Sequence, residues 1–468
     1  MACSDYRAKA ICLGWLVACL VGEQIAFASL GISSSPDETN WGVGGGLVHA
    51  ITSSGGVVYI GGSFTQLISE DGLTVLPASR LAAFDAKTGM PTSWRPTADG
   101  TVFALAAGGD GIYVGGAFNT IDGIPRSHFA AISREGNLLW SADANSTIRC
   151  FALSGNTLYM GGAFRQIRGQ RRLRLAAIQT PATGETDAVL LPWAPSITST
   201  NGPHEVTGLT VSATSVVAIG TWTHVNGQPE PDQARFDPVT GKVKYWSNNV
   251  ELPAKGVTTD GTNFFGAFAG QKGGRLVAWG PSGSILWQAW GNGDMQAVTF
   301  FAGHVIVGGH FTKIRSSDLV RLAAFTPDGR VVSEWLPKPD SGGDRGVWAL
   351  HGADKLYVGG GFGRIGMQPA RGYAQLSDIE APLPPSNLSA IATSWTQVDL
   401  GWTAATDNIG VIGYQVFRDG SFLTSVGAIT NWSDTTISAS TTYQYQVYAR
   451  DAGDNLSEAS DTATVTTP

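Results

Sequence analysis

Seven times in this 468-residue chain an apolar doublet runs into a glycine-rich turn with an aromatic just beyond it. The first is Tyr59-Ile60-Gly61-Gly62-Ser63-Phe64; the others run from Tyr113 to Phe118, Tyr159 to Phe164, Val217 to Trp222, Asn263 to Phe268, Ile306 to Phe311 and Tyr357 to Phe362. Their starts lie 54, 46, 58, 46, 43 and 51 residues apart. Every unit is rich in strand formers and turn residues and none has a helical period, so this spacing indicates propeller blades and excludes an α-solenoid. In the best-formed unit, strands are predicted at Val102–Leu105, Ile112–Val114, His128–Ile132 and Asn137–Trp140. The segments Gly108-Gly109-Asp110-Gly111 and Arg134-Glu135-Gly136-Asn137 supply the positive-φ residues of tight hairpins, so the strands should pair antiparallel. The Gly-Gly pair reads as steric, marking a place where a side chain would strike a neighbour.

A tryptophan closes each of six units, at Trp94, Trp140, Trp193, Trp246, Trp287 and Trp335, in what should be the outermost strand. The seventh unit lacks one and enters the proline-rich stretch Ala381-Pro382-Leu383-Pro384-Pro385 after three strand-like segments. Trp41 stands 18 residues before Tyr59, much as Trp94 and Trp140 stand 19 before the next tyrosine. Residues 30–45, including Trp41, are therefore expected to supply the missing outer strand of the blade built from Val347 to Leu376, closing the ring and protecting its open edges.

These units resemble the bacterial delta-60 type propeller repeat, a family of unknown function whose pattern is close to L-Y-V-G-G-x-F-x-x-I-x-G-x-x-R-x-x-L-A-A-F-D-x-x-T-G. Residues 111–136 and 159–184 fit it well, and the doublet has decayed at Ile219-Gly220 and Phe265-Gly266. The resemblance implies a seven-bladed β-propeller over about residues 29–378. It lends no catalytic residue, and a propeller by itself settles no function.

Beyond the linker at 379–385, residues 386–468 resemble a fibronectin type III β-sandwich. The matching segments are Pro384-Pro385-Ser386-Asn387-Leu388, Val398-Asp399-Leu400-Gly401-Trp402, Gly413 to Gly420 and Ser440 to Val447. The resemblance implies a core role for Trp402 and a corner role for Tyr443. In bacterial extracellular proteins this domain type often accompanies polysaccharide-active modules.

The start of the chain carries Arg7 and Lys9, a twelve-residue apolar run from Ile11 to Gly22, and Ala26-Phe27-Ala28 as a cleavage site. Residues 1–28 thus read as a signal peptide, too short to span a bilayer. Leu16-Val17-Ala18-Cys19 offers a rival reading, a lipoprotein box with a lipid anchor at Cys19. Three of the four cysteines fall in this leader, so no disulfide framework is available and Cys150 reads as a small buried apolar residue. The net charge of −7 argues against nonspecific nucleic-acid binding. A secreted or cell-surface monomer follows, with no transmembrane segment.

The sequence contains no G-x-S-x-G, H-E-x-x-H, C-x-x-C or Walker loop, and no cofactor or metal is expected. With the repeats as their own control, positions shared by the blades read as scaffold and departures from the pattern as sites. Arg80, Arg174, Arg275 and Arg321 recur before the third strand and read as scaffold, whereas His128, Asp232 and His310 depart. The largest departure is Phe164 to Arg174, with five arginines; Arg165, Arg168, Arg171 and Arg172 suit bidentate binding of an acidic glycan. On the expected channel face, Arg345 and Trp348 are further ligand-binding candidates. His204, Glu205, Asp294 and Asp344 are candidates for carboxylate or histidine acid-base chemistry. Three functions stay open: a noncatalytic module binding an extracellular glycan or protein, a polysaccharide hydrolase or lyase, and a protein-protein scaffold.

Overall fold

The computed structural model describes residues 30–38, 41–109, 111–181, 187–200, 202, 204–244, 246, 250, 252–270, 273–340 and 346–468. The leader with Cys19, and the site candidates Asp344 and Arg345, lie outside the described residues. Among the described residues the protein is all-β, without a helix, and none is long and apolar enough to cross a membrane.

Each repeat folds into one antiparallel sheet. The first is Val48–Ser54, Val57–Gly62 and Leu81–Asp85; the second Val102–Ala107, Ile112–Gly116 and Phe129–Ile132; the third Ile148–Ser154, Thr157–Gly162, Leu175–Gln179 and Val189–Leu190. The fourth is Glu205–Val211, Val216–Thr221, Gln233–Phe236 and Val243–Lys244, and the fifth Ala254–Thr259, Phe264–Phe268, Arg275–Trp279 and Ile285–Trp290. The sixth is Met295–Phe301, His304–Gly309 and Leu322–Phe325, and the seventh Val347–Gly352, Lys355–Gly360 and Tyr373–Ser377. The first strand of each sheet lies beside the first strand of the next, and that of the seventh lies beside that of the first.

The glycine doublets explain how closely these sheets approach. A Cβ on the first glycine would strike the valine or isoleucine that opens the next sheet: Gly61 against Val102 at 2.5 Å, Gly115 against Ile148 at 2.7 Å, Gly161 against Val206 at 2.6 Å, Gly308 against Val347 at 2.3 Å. Gly359 repeats the contact on Val48, at 2.6 Å, across the junction between seventh and first sheets. The second glycine instead faces backbone within its own sheet, as Gly62 does against the Leu47 carbonyl at 1.9 Å. The doublet is therefore steric, as its composition suggested.

The tryptophans tie neighbouring sheets. Trp94 Nε1 donates to the Ser133 carbonyl (2.9 Å), Trp193 to Asp237 (2.9 Å), Trp287 to Pro327 (2.7 Å) and Trp335 to Ser33 (3.2 Å). Trp287 lies in a fourth strand; Trp193 follows its fourth strand by three residues, and Trp94 follows the single bridge Phe84↔Pro91. The outermost-strand expectation thus holds for Trp287 and for Trp140, whose carbonyl accepts the Ala131 N–H (3.0 Å), while Trp94, Trp193 and Trp335 fall just beyond the last pairing of their sheets.

At the N-terminus Ile32 bridges Asp378, Ser33 N–H donates to the Ser377 carbonyl (2.9 Å) and Asp37 N–H to that of Gln375 (3.0 Å). Residues 32–37 therefore run along the outer edge of the seventh sheet, and Lys355 pairs with Asp37 at 2.5 Å across it. The placement of Trp41 needs correcting: it adjoins Gly42–Gly44, a strand that pairs with Gln66–Ile68, and packs on the core of the first sheet. Counting residues back from Tyr59 found the right segment but missed its register.

The C-terminal residues form two facing sheets, Ser386–Ser394, Gln397–Thr403 and Asn431–Asp434 against Val411–Arg418, Ser421–Gly427, Thr442–Asp451 and Ala463–Thr466. Their shared core holds Trp402, Val416, Tyr445 and Val447. Ser438 N–H donates to the Tyr443 hydroxyl (2.8 Å), a corner bond of the expected kind.

Candidate functional site

The first strand of all seven sheets carries a β-bulge at the same place. Val48 and Ala50 pair with the adjacent Gly62 and Gly61, leaving His49 as the extra residue, and the same shift isolates Phe103, Arg149, Thr207, Lys255, Gln296 and Trp348. A bulge bends its strand and re-aims one side chain. The seven re-aimed side chains, joined by Glu205, line one cavity of about 330 Å³.

Deeper positions repeat far more closely. The next residue of each strand is small, namely Ala50, Ala104, Cys150, Gly208, Gly256, Ala297 and Ala349, and the one after it apolar, from Ile51 to Leu350. The scaffold thus holds two layers nearly constant across the seven sheets and places seven different residue types in the layer at the mouth. Cys150 belongs to the small layer, where burial pushes its thiol pKa well above the usual value and makes it inert.

The mouth combines cationic and aromatic groups. Arg149 Nε donates to Glu205 Oε2 at 2.9 Å, and its guanidinium lies 4.2 Å from the Phe103 ring centroid. His49 packs between Phe103 (5.4 Å) and Trp348 (5.7 Å), and His310 meets the other side of Trp348 at 5.3 Å. Burial, assisted by the Arg149 charge, lowers the His49 pKa to about 4, so the ring is neutral at pH 7. Trp348 Nε1 is shielded from solvent and has no hydrogen-bond partner among the described residues. Lys255 has no carboxylate within ion-pair distance among those residues, and Glu205 is the one carboxylate there that lines the cavity. With His49 neutral, Arg149 and Lys255 outnumber Glu205 among the described lining residues, which makes this part of the mouth positive on an acidic chain.

Of the residues singled out in the sequence, the structure brings together Glu205 and Trp348. His204 neighbours Glu205 but turns Nδ1 to the Gly202 carbonyl (3.3 Å), with its pKa lowered by burial, and does not line the cavity. Asp294 is spent on the loop, where Oδ1 accepts the Gly270 N–H at 3.1 Å. The four arginines stand apart from this cavity, which none of them lines. Arg168 sits at the turn of the hairpin Gln166–Ile167 and Gln170–Arg171, where it binds the Ser141 and Ala188 carbonyls and Asp187. Arg315 does the same in the sixth sheet, holding Gln288 and Gly329 carbonyls, so this guanidinium is scaffold. Arg172 holds the Leu191 carbonyl at 2.8 Å, which leaves Arg165 and Arg171 exposed. Arg80 and Arg321 bond the Ala98 and Pro339 carbonyls, as recurrence implied. The residues missed in the sequence, His49, Phe103, Arg149, Thr207, Lys255 and Gln296, share one signal: they form the most variable column of an otherwise regular first strand.

No family model matches the chain. It is similar over part of its length to an alpha-amylase of Niallia circulans, 47% identical over 91 residues, 19% of this chain and 7% of that protein. Chitinase Chi52 of Paenibacillus xylanexedens is 40% identical over 111 residues, 24% of this chain and 20% of its own. A gellan lyase of Bacillus sp is 33% identical over 116 residues, 22% and 5% respectively. The chain thus spans at most a fifth of these relatives. Among solved structures, an Fn3-like protein from Clostridium thermocellum matches 19% of the chain at 30% identity and TM-score 0.17, and the computationally designed Ika8 protein matches 88% at 14% identity and TM-score 0.42.

Proposed function

We propose that the seven sheets form a seven-bladed β-propeller of the delta-60 type, joined to a fibronectin type III sandwich, and that the protein is an extracellular noncatalytic module binding an acidic polysaccharide at the cavity mouth. One observation carries the reading: two layers of the first strands stay nearly constant around the ring while the mouth layer presents His49, Phe103, Arg149, Thr207, Lys255, Gln296 and Trp348. A layer needed only for packing would repeat like the ones beneath it. Aromatic faces beside cationic groups suit a sugar ring carrying a carboxylate or sulfate. The partial likeness to an amylase, a chitinase and a gellan lyase supports a polysaccharide setting.

The test is retention by polygalacturonate, a sulfated glucan, cellulose and chitin, with reducing ends assayed in parallel. Retention by the anionic polymers that weakens with salt is expected, without product. Turnover that disappears in Glu205→Gln would replace this reading with the hydrolase or lyase. No retention and no turnover across the panel would leave the protein-protein scaffold.

A further inference from the structure

The seventh sheet ends beside Asp378, and two loops of the sandwich converge on it. Asp407 lies in the connection between Gln397–Thr403 and Val411–Arg418, and Asp451 ends the strand Thr442–Asp451. One carboxylate oxygen from each of Asp378, Asp407 and Asp451 lies within 4.8 Å of the other two. Asp378 is 3% exposed and Asp451 0%. Among the described residues, no lysine, arginine or histidine stands within ion-pair distance of any of the three. Three like charges at this separation, two of them out of water, repel strongly unless something neutralises them.

The hydrogen bonding shows what is short. Oδ2 of Asp407 accepts the Ile409 and Gly410 N–H groups at 2.9 and 2.8 Å. Its Oδ1, on the other side of the carboxylate, is shielded from solvent and has no hydrogen-bond partner. The Asn455 amide nitrogen lies near four acceptors at once: the Asp378 carbonyl (3.3 Å), Asp378 Oδ2 (3.3 Å), the Glu380 carbonyl (3.2 Å) and Asp451 Oδ2 (2.9 Å). Asn408 Nδ2 donates to Asp378 Oδ1 (2.8 Å) and the Asn455 N–H to Asp451 Oδ1 (2.8 Å), but the Asn455 NH₂ carries only two hydrogens for its four acceptors, so oxygens on this side are left short of donors. A buried carboxylate oxygen without a donor, amid surplus oxygens, is an environment for a cation.

We propose that Asp378, Asp407 and Asp451 bind a calcium ion that pins the sandwich to the seventh sheet. All the donors are hard oxygens, which disfavours zinc or copper. They come from three irregular segments, which suits calcium's flexible shell of about six to eight oxygens better than magnesium's strict octahedron, with water and nearby carbonyls completing the set. The ion would bridge the end of the last sheet and two sandwich loops, and it is independent of the cavity mouth.

The experiment uses the full chain, stripped with EDTA and titrated calorimetrically with calcium chloride alone, with thermal unfolding followed in parallel. One calcium per chain is expected, with a Kd of about 10⁻⁴ M or tighter, in the range of extracellular modules. The first unfolding transition should move up by several degrees at millimolar calcium. Asp407→Asn should weaken binding at least tenfold yet unfold no earlier than the native chain in calcium-free buffer, because it removes a repulsive charge. A merely structural aspartate would give earlier unfolding with and without calcium. The proposal is overturned if calcium produces neither heat nor a shift at 5 mM, if magnesium alone binds, or if both Asp407→Asn and Asp451→Asn bind calcium as the native chain does.

Discussion

Replacing Gly359 with alanine probes the junction between the seventh and first sheets. The new Cβ would sit 2.6 Å from Val48 Cγ1, 3.0 Å from its Cβ and 3.1 Å from Ile51 Cδ1. Gly359 has an ordinary negative φ, so backbone strain does not enter. Overpacking of this kind costs about 1–3 kcal/mol, against about 0.5–1 kcal/mol gained by removing a glycine from a strand, so a net loss of about 1–2 kcal/mol is expected. Val48→Ala alone should cost about 2 kcal/mol in lost burial and residual cavity. It also removes the atom the new methyl would strike, so the double variant should be less destabilised than the sum by about 1 kcal/mol. Urea denaturation of the full chain, following its larger transition, supplies the three values, with Gly308→Ala against Val347 as the control at an internal junction (2.3 Å). If Gly359→Ala is neutral or stabilising and the pair is additive while Gly308→Ala is costly, the seventh and first sheets do not pack and the ring reasoning fails.

Four further outcomes follow from named contacts. His351, whose Nε2 lies 2.9 Å from Ser53 Oγ, has its pKa lowered by burial to about 4, below the unfolded value of 6.5, so the unfolded chain binds the extra proton first. The His351 contribution should be fully present above pH 6.5 and fall by up to about 3 kcal/mol as pH drops towards 4; because His49 shares the lowered pKa of about 4, His351→Gln should reduce the slope by about half without abolishing it. Deleting residues up to Asp37 should bare the edge of the seventh sheet and yield aggregates on gel filtration; a monomer with unchanged melting would contradict the edge pairing. In the sandwich, Asp434 is fully buried and binds Arg418 (2.7 Å) and the Tyr445 hydroxyl (2.8 Å), so Asp434→Ala should cost about 3–5 kcal/mol in the transition of that unit. Residues 386–468 expressed alone should show a native near-ultraviolet dichroism spectrum, and its absence would place the boundary elsewhere.

What the sequence could reveal depended on how local its cause was. The predicted strands at Val102–Leu105 and Ile112–Val114 recur within Val102–Ala107 and Ile112–Gly116, because alternating apolar residues act over a few neighbours, although the positive φ expected at Gly108, Gly109 and Gly111 is not found and occurs at Gly136 in the next turn. The Gly-Gly pairs were legible for the same reason. Trp41 was misplaced because equal spacing cannot reveal which partner a segment takes: Asp37 pairs with Gln375 in the seventh sheet, while Gly42–Gly44, next to Trp41, pairs with Gln66–Ile68. For the arginine cluster, sequence shows the charge but not the carbonyls of Ser141, Ala188 and Leu191 that Arg168 and Arg172 hold. The mouth residues were hidden because a bulge is a property of two paired strands. Aligning the seven first strands on their bulge would have exposed His49, Phe103, Arg149, Thr207, Lys255, Gln296 and Trp348 as one column.

Calorimetric titration of an oligogalacturonate into two paired variants tests the binding site most directly. Arg149→Gln/Lys255→Gln removes the mouth cations, and Arg165→Gln/Arg171→Gln removes the exposed hairpin cations. Each charge-assisted contact is worth about 1.5–3 kcal/mol, so the mouth pair should lose at least tenfold in affinity while the hairpin pair binds as the native chain does. Loss confined to the hairpin pair, or equal affinity in all three proteins, would contradict the assignment of the cavity mouth.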